Sequence, residues 1–183
     1  MLLLGLQIAC APTNSIGEKD KSNNTSNPDS FQFETELAKG LELSKKTNKP
    51  ILLIFTSKTL GYDEFQNDLL LSNVVFNTLQ NKFVNIILFV DARDRITSEQ
   101  VSNFNQYMMT KEGKNELLIA KNWGKVHLAF EHDRFMVKIQ PLYVVIDDNL
   151  NVLIEPFGYT KRNVGLFIKK LNEGIMKYEM KKK

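Results

Sequence analysis

An α/β fold, with a central mixed β-sheet and helices on its faces, is what three features of this 183-residue chain predict. Ile51 to Phe55 (Ile-Leu-Leu-Ile-Phe) follows Pro50 as a short unbroken apolar run, which by its length and its isoleucines reads as a strand buried on both faces. Phe83 to Val90 (Phe-Val-Asn-Ile-Ile-Leu-Phe-Val) is again mostly apolar and β-branched, a second core strand parallel to the first if the helices between them make a right-handed crossover. Leu142 to Asp147 and Val152 to Glu155, around the turn residues Asp148-Asn149-Leu150-Asn151, read as a hairpin that adds antiparallel partners.

Taken in order, the elements fit that sheet. Phe33, Leu37, Ala38 and Leu41 recur at helical spacing, and this first helix ends before Pro50. After the first strand, Thr56 to Gly61 supply a polar turn. A helix from about Tyr62 follows, with Asp63 and Glu64 in its first turn and Phe65, Leu69 and Leu70 as its buried stripe. Ser72 is placed to cap a further helix with Val75, Phe76 and Leu79 inward. Ser98 to Met108 predicts a helix through Val101, Phe104 and Met108, then a loop containing Gly113. Val164, Phe167, Ile168, Leu171, Ile175 and Tyr178 form one continuous stripe on the last.

The totals bound the function. A composition of 43% hydrophobic and 10% aromatic residues supports a sizeable core. A formal charge of +3, from 24 basic against 21 acidic residues, is too small and too mixed to indicate a nucleic-acid partner without a clustered patch. Cys10 is the only cysteine. These residues therefore build no intrachain disulfide, no cysteine zinc site and no dithiol redox cycle. His127 and His132 are the only histidines, and their five-residue spacing does not match an i,i+4 zinc pair, so no metal or other cofactor is expected and solvated or capping roles are.

The N-terminal 30 residues read as a signal and linker, and residues 31–183 as the folded domain. Met1 to Ala9 is an apolar run too short to span a bilayer but long enough for a signal h-region, and Cys10 follows it directly. A small residue before a cysteine at the end of such a run resembles a bacterial lipobox. That resemblance implies lipidation at Cys10, membrane anchoring through it, and a place in the bacterial cell envelope facing the periplasm. An N-terminus that is disordered or packs on the core is the plainer alternative. Ala11 to Ser30, rich in Asn, Ser, Lys, Asp and Pro, buries too little apolar surface to offset its ordering entropy and reads as a disordered tether.

Three stretches carry a family resemblance. Lys49-Pro50-Ile51-Leu52-Leu53-Ile54-Phe55-Thr56-Ser57, Gln140-Pro141-Leu142-Tyr143-Val144-Val145-Ile146-Asp147 and Phe157-Gly158-Tyr159-Thr160 together resemble the thioredoxin-like superfamily, in particular the C-terminal domain of DsbD-type thiol-disulfide interchange proteins. The resemblance implies a thioredoxin-like fold with a cis-proline at Pro141 and a substrate groove beside it. Where that family carries Cys-x-x-Cys, this chain has Leu60-Gly61-Tyr62-Asp63, and Ile54 stands where many relatives keep a buried acid that assists proton transfer. The expected protein is therefore redox-inactive and binds a peptide or protein partner of the envelope, through Leu60, Gly61, Tyr62 and Asp63 on one side and Gln140 and Pro141 on the other. The alternatives are a thiol-disulfide oxidoreductase component using a partner's cysteines, and a structural envelope lipoprotein. Asp63 and Glu64 are accounted for by the helix dipole, and Ser57 and Thr59 by loop hydrogen bonding, because no histidine is identifiable as their base.

Overall fold

The computed structural model describes residues 31–59, 65–158 and 163–182. Its centre is β1 (Ile51–Thr56), every residue of which is buried. β2 (Val84–Phe89) runs parallel to β1, with Ile51 opposite Val84 and Thr56 opposite Phe89. β3 (Leu142–Ile146) runs antiparallel on the other side, with Ile51 opposite Ile146 and Phe55 opposite Leu142. β4 (Phe157–Gly158) completes a mixed sheet of order β2-β1-β3-β4. The strands are mostly apolar because helices cover both faces, leaving no side for polar residues to alternate onto; Asn85, buried in β2, donates from Nδ2 to the Leu79 carbonyl at 3.0 Å.

α1 (Leu37–Thr47) buries Leu37, Gly40, Leu41 and Ser44, and closes on Asn48 in the left-handed region with its N–H on the Ser44 carbonyl. Phe33 is not part of that stripe. The chain before α1 is extended instead, and Glu34 exchanges backbone bonds with the outer edge of β2, from Glu34 N to Asn85 O at 2.9 Å and from Ile87 N to Glu34 O at 2.8 Å. Covering a strand edge satisfies more main-chain groups than one further helical turn would, so the fortuitous i,i+4 spacing of Phe33 and Leu37 loses.

The crossover from β1 to β2 contains a π-helical segment (Phe65–Leu70) and α2 (Asn73–Lys82), which bury Phe65, Leu69, Leu70, Val75, Phe76 and Leu79 as their spacing predicts. The expected helix start at Tyr62 lies outside the described residues. Ser72 occupies the N-cap position without a side-chain capping bond; its N–H is held in the turn out of the π segment, on the Leu69 carbonyl at 3.1 Å.

α3 (Ser98–Phe104) begins with a capping box between Thr97 and Gln100 and ends in a 3₁₀ turn (Asn105–Tyr107), which still brings Met108 into the core. Gly113 lies in α4 (Lys111–Leu118) rather than in a loop. Its role is close approach: a Cβ there would sit 2.3 Å from Asp133 Oδ1, and the Asp133 carboxylate accepts the Met109 and Thr110 amides that precede the helix. α5 (Trp123–Phe135) starts from Asn122, whose Oδ1 accepts the Lys125 amide at 3.0 Å.

The hairpin is longer than expected. Val152 makes only an isolated bridge to Ile146, and the paired arm comes later, with Tyr143 opposite Phe157 and Leu142 opposite Gly158. Asp147 is the reason for the early turn: its carboxylate takes the Asn149 and Asn151 amides, both at 2.9 Å, and fixes the chain before a second strand has formed. α6 (Val164–Lys181) buries Phe167, Leu171, Gly174 and Tyr178, with Val164, Ile168 and Ile175 packed beside them. Among the described residues no helix is long and apolar enough to cross a membrane.

Candidate functional site

The pairing of Phe55 with Leu142 puts the exit of β1 and the entrance of β3 at one end of the sheet. Ser57, Lys58 and Thr59 leave β1 there and are gathered by Asp91, just past β2. Its carboxylate accepts Ser57 Oγ at 2.7 Å, the Lys58 amide at 2.8 Å, and the Thr59 hydroxyl and amide at 3.2 and 3.4 Å. Burial by itself would raise the Asp91 carboxyl; these donors outweigh it and hold the group below the usual carboxylate range. Asp91 ends an apolar run and has no sequence neighbour to suggest this task.

On the β3 side the Gln140–Pro141 peptide is cis. Before it, Lys138, Ile139 and Gln140 are exposed and Val137 half-buried, and the main chain of 137–140 exchanges no hydrogen bond with any described residue. The Gln140 side chain turns inward, with Nε2 donating to Glu131 Oε2 at 3.1 Å. Glu131 is 1% exposed, and its Oε1 has no partner among the described residues. Burial raises this carboxyl to about 7 against the opposing effect of the Gln140 bond. A cavity of about 750 Å³ opens beside it, with Leu128, Ala129 and Val137 as apolar wall and Lys121, Lys125 and Lys138 among the charges around it.

His127, expected to be solvated or capping, is instead 6% exposed, with Nδ1 on the Phe89 carbonyl at 2.8 Å. Burial lowers it to about 4, so it is neutral at pH 7. Its place between Val126 and Phe130 on the buried side of α5 was the available signal. His132 is exposed and its carbonyl accepts the Met136 amide that closes α5. Ile54 is fully buried among Leu52, Phe65 and Tyr143.

Gln140 and Pro141 are thus the expected binding residues that the structure describes; Leu60, Gly61, Tyr62, Asp63 and Cys10 lie outside the described residues. Among the described residues no group of three His, Cys, Asp or Glu side chains is placed to hold a metal ion.

A parallel βαβ unit followed by an antiparallel β-hairpin and a closing helix, with a proline at the entrance of the first hairpin strand, defines the class: the fold is thioredoxin-like. The chain is similar to the solved structure of a DsbH oxidoreductase, with a TM-score of 0.57 over 89% of this chain and 95% of that one, at 16% sequence identity. At that identity the likeness is one of fold. No family model and no curated protein matches the sequence.

Proposed function

We propose that this protein is a thioredoxin-fold partner-binding module of the bacterial cell envelope, held to the membrane by a lipid on Cys10, that takes an extended peptide or protein segment and does no disulfide chemistry of its own. One observation carries the binding reading: the main chain of 137–140 exchanges no hydrogen bond with any described residue and lies at the edge of an open groove, at the same end of the sheet as the β1 exit loop. An extended segment adds to such an edge by main-chain hydrogen bonds, and adjacent pockets select its side chains. The apolar wall with lysines around it suits a segment with aliphatic and acidic residues. The single cysteine supports redox inactivity, since a dithiol cycle needs two.

Pull-down from envelope extracts tests this reading. Ile139→Pro removes a main-chain donor from the edge and Tyr62→Ala removes a ring expected to contact the partner, and both are expected to reduce capture of a partner that wild type retains. Equal capture by wild type and both variants contradicts the binding site. The solved neighbour is named as an oxidoreductase, so insulin reduction with dithiothreitol is the matching assay: a rate above that of the reductant alone contradicts redox inactivity. Intact mass of the mature protein, with detergent partitioning, tests the lipid on Cys10.

A further inference from the structure

A second concave site lies away from the 137–140 edge and is independent of the reading above. A cavity of about 620 Å³ is bounded by the start of α1, the outer side of β2, α3 and the first turns of α5. That volume falls within the range of ligand pockets, about 300–1,000 Å³. Its walls include Phe89, Phe104, Tyr107 and Trp123, and His127 stands among them with its ring 5.7 Å from that of Trp123.

The imidazole is set up for one kind of contact. A carbonyl oxygen can only accept, so the bond to Phe89 fixes the proton on Nδ1 and leaves Nε2 as an acceptor. Among the described residues nothing donates to that nitrogen. Nε2 is not among the enclosed side-chain atoms that lack a partner, so it is open to a donor that enters the cavity, where a neutral hydrogen bond adds net affinity. Aromatic walls favour a flat π-system, and the accessible lone pair favours one that carries an N–H or O–H.

We propose that this cavity binds a planar aromatic group bearing a single N–H or O–H donor, of the phenol or indole class, with the donor on His127 Nε2. Such a group arrives either as a free small molecule or as a tyrosine or tryptophan side chain of a partner.

The test is a titration of the full chain, ¹⁵N-labelled, with p-cresol, 3-methylindole and toluene, followed at the His127 ring nitrogens and the Trp123 indole. The two donors are expected to bind about five- to tenfold more tightly than toluene, the advantage of one neutral hydrogen bond, and to move the Nε2 resonance where toluene does not. His127→Phe keeps the ring volume and is expected to erase the difference between p-cresol and toluene. Asn103→Trp, at an exposed position on the cavity mouth, is expected to weaken all three ligands even if His127→Phe fails to fold. A capped Ala-Tyr-Ala peptide separates the sources: affinity at or above that of p-cresol assigns the site to a partner side chain, and binding of p-cresol alone assigns it to a free metabolite. Equal affinity for toluene and p-cresol, an unmoved Nε2 signal on saturation, or indifference to Asn103→Trp overturns the proposal.

Discussion

The two faces of the sheet are built on different terms. The face under the π segment, α2 and α6 is closed by rings in mutual contact. Phe31, Phe33, Phe65, Phe76, Tyr143, Phe157 and Phe167 form a series with centroids 4.8 to 5.9 Å apart. The face under α1, α3, α4 and α5 also has a ring cluster, with Phe55, Phe104, Phe130 and Phe135, but α5 inserts a buried histidine and a buried glutamate there and borders both cavities. Incompletely paired ionisable groups lower stability. One face therefore supplies cohesion, and the other gives up some of it to keep polar atoms next to open space.

The largest effect comes from breaking the closed face. Phe167→Ala is expected to lose about 3–5 kcal/mol, measured by urea unfolding of the full chain; a loss below about 1 kcal/mol would show that the ring series does not hold the domain.

Next come two pH slopes of opposite sign on the α5 face. Glu131 has a raised carboxyl, so its contribution is fully present below its unfolded value of 4.5 and is lost as pH rises through about 7. His127 is depressed, so its contribution is present above 6.5 and is lost as pH falls through about 4. Each is worth about 3 kcal/mol across its window, and between pH 4.5 and 6.5 they offset one another. Glu131→Gln is expected to leave stability rising with pH over that interval, and His127→Phe to leave it falling. Denaturant midpoints at closely spaced pH values measure the slopes; identical profiles for both variants would show that the two groups are not held as described.

Smaller effects compare the two ends of the sheet. Asp91→Ala removes the acceptor that gathers Ser57, Lys58 and Thr59, and is expected to cost about 2 kcal/mol and to speed amide exchange at Lys58 and Thr59. At the opposite end Lys181→Met, which leaves Asp147 its Asn149 and Asn151 donors, is expected to cost less than about 1 kcal/mol because the lysine is half exposed. Exchange at Lys58 that is unchanged in Asp91→Ala would remove Asp91 from the description of the loop.

The chain's own pattern determined the strands β1, β2 and β3 and the helical stripes from Phe65 to Tyr178, because apolar runs and 3.6-residue periodicity are local properties that burial on a covered sheet preserves; the thioredoxin-like order came from the resemblance of three stretches. Packing between remote segments decided the rest. Phe33 left its helical register for the edge of β2, Gly113 entered a helix because Asp133 needed its missing Cβ, and Asp147 delayed the second hairpin strand until Phe157. The same holds for the sites: Asp91, His127 and Glu131 acquire their roles from Ser57, Phe89 and Gln140, 34, 38 and 9 residues away. Desolvation and hydrogen bonding act through space, so a carboxylate or imidazole that looks solvated in sequence becomes a buried, hydrogen-bonded group only once the helix carrying it is laid against the sheet.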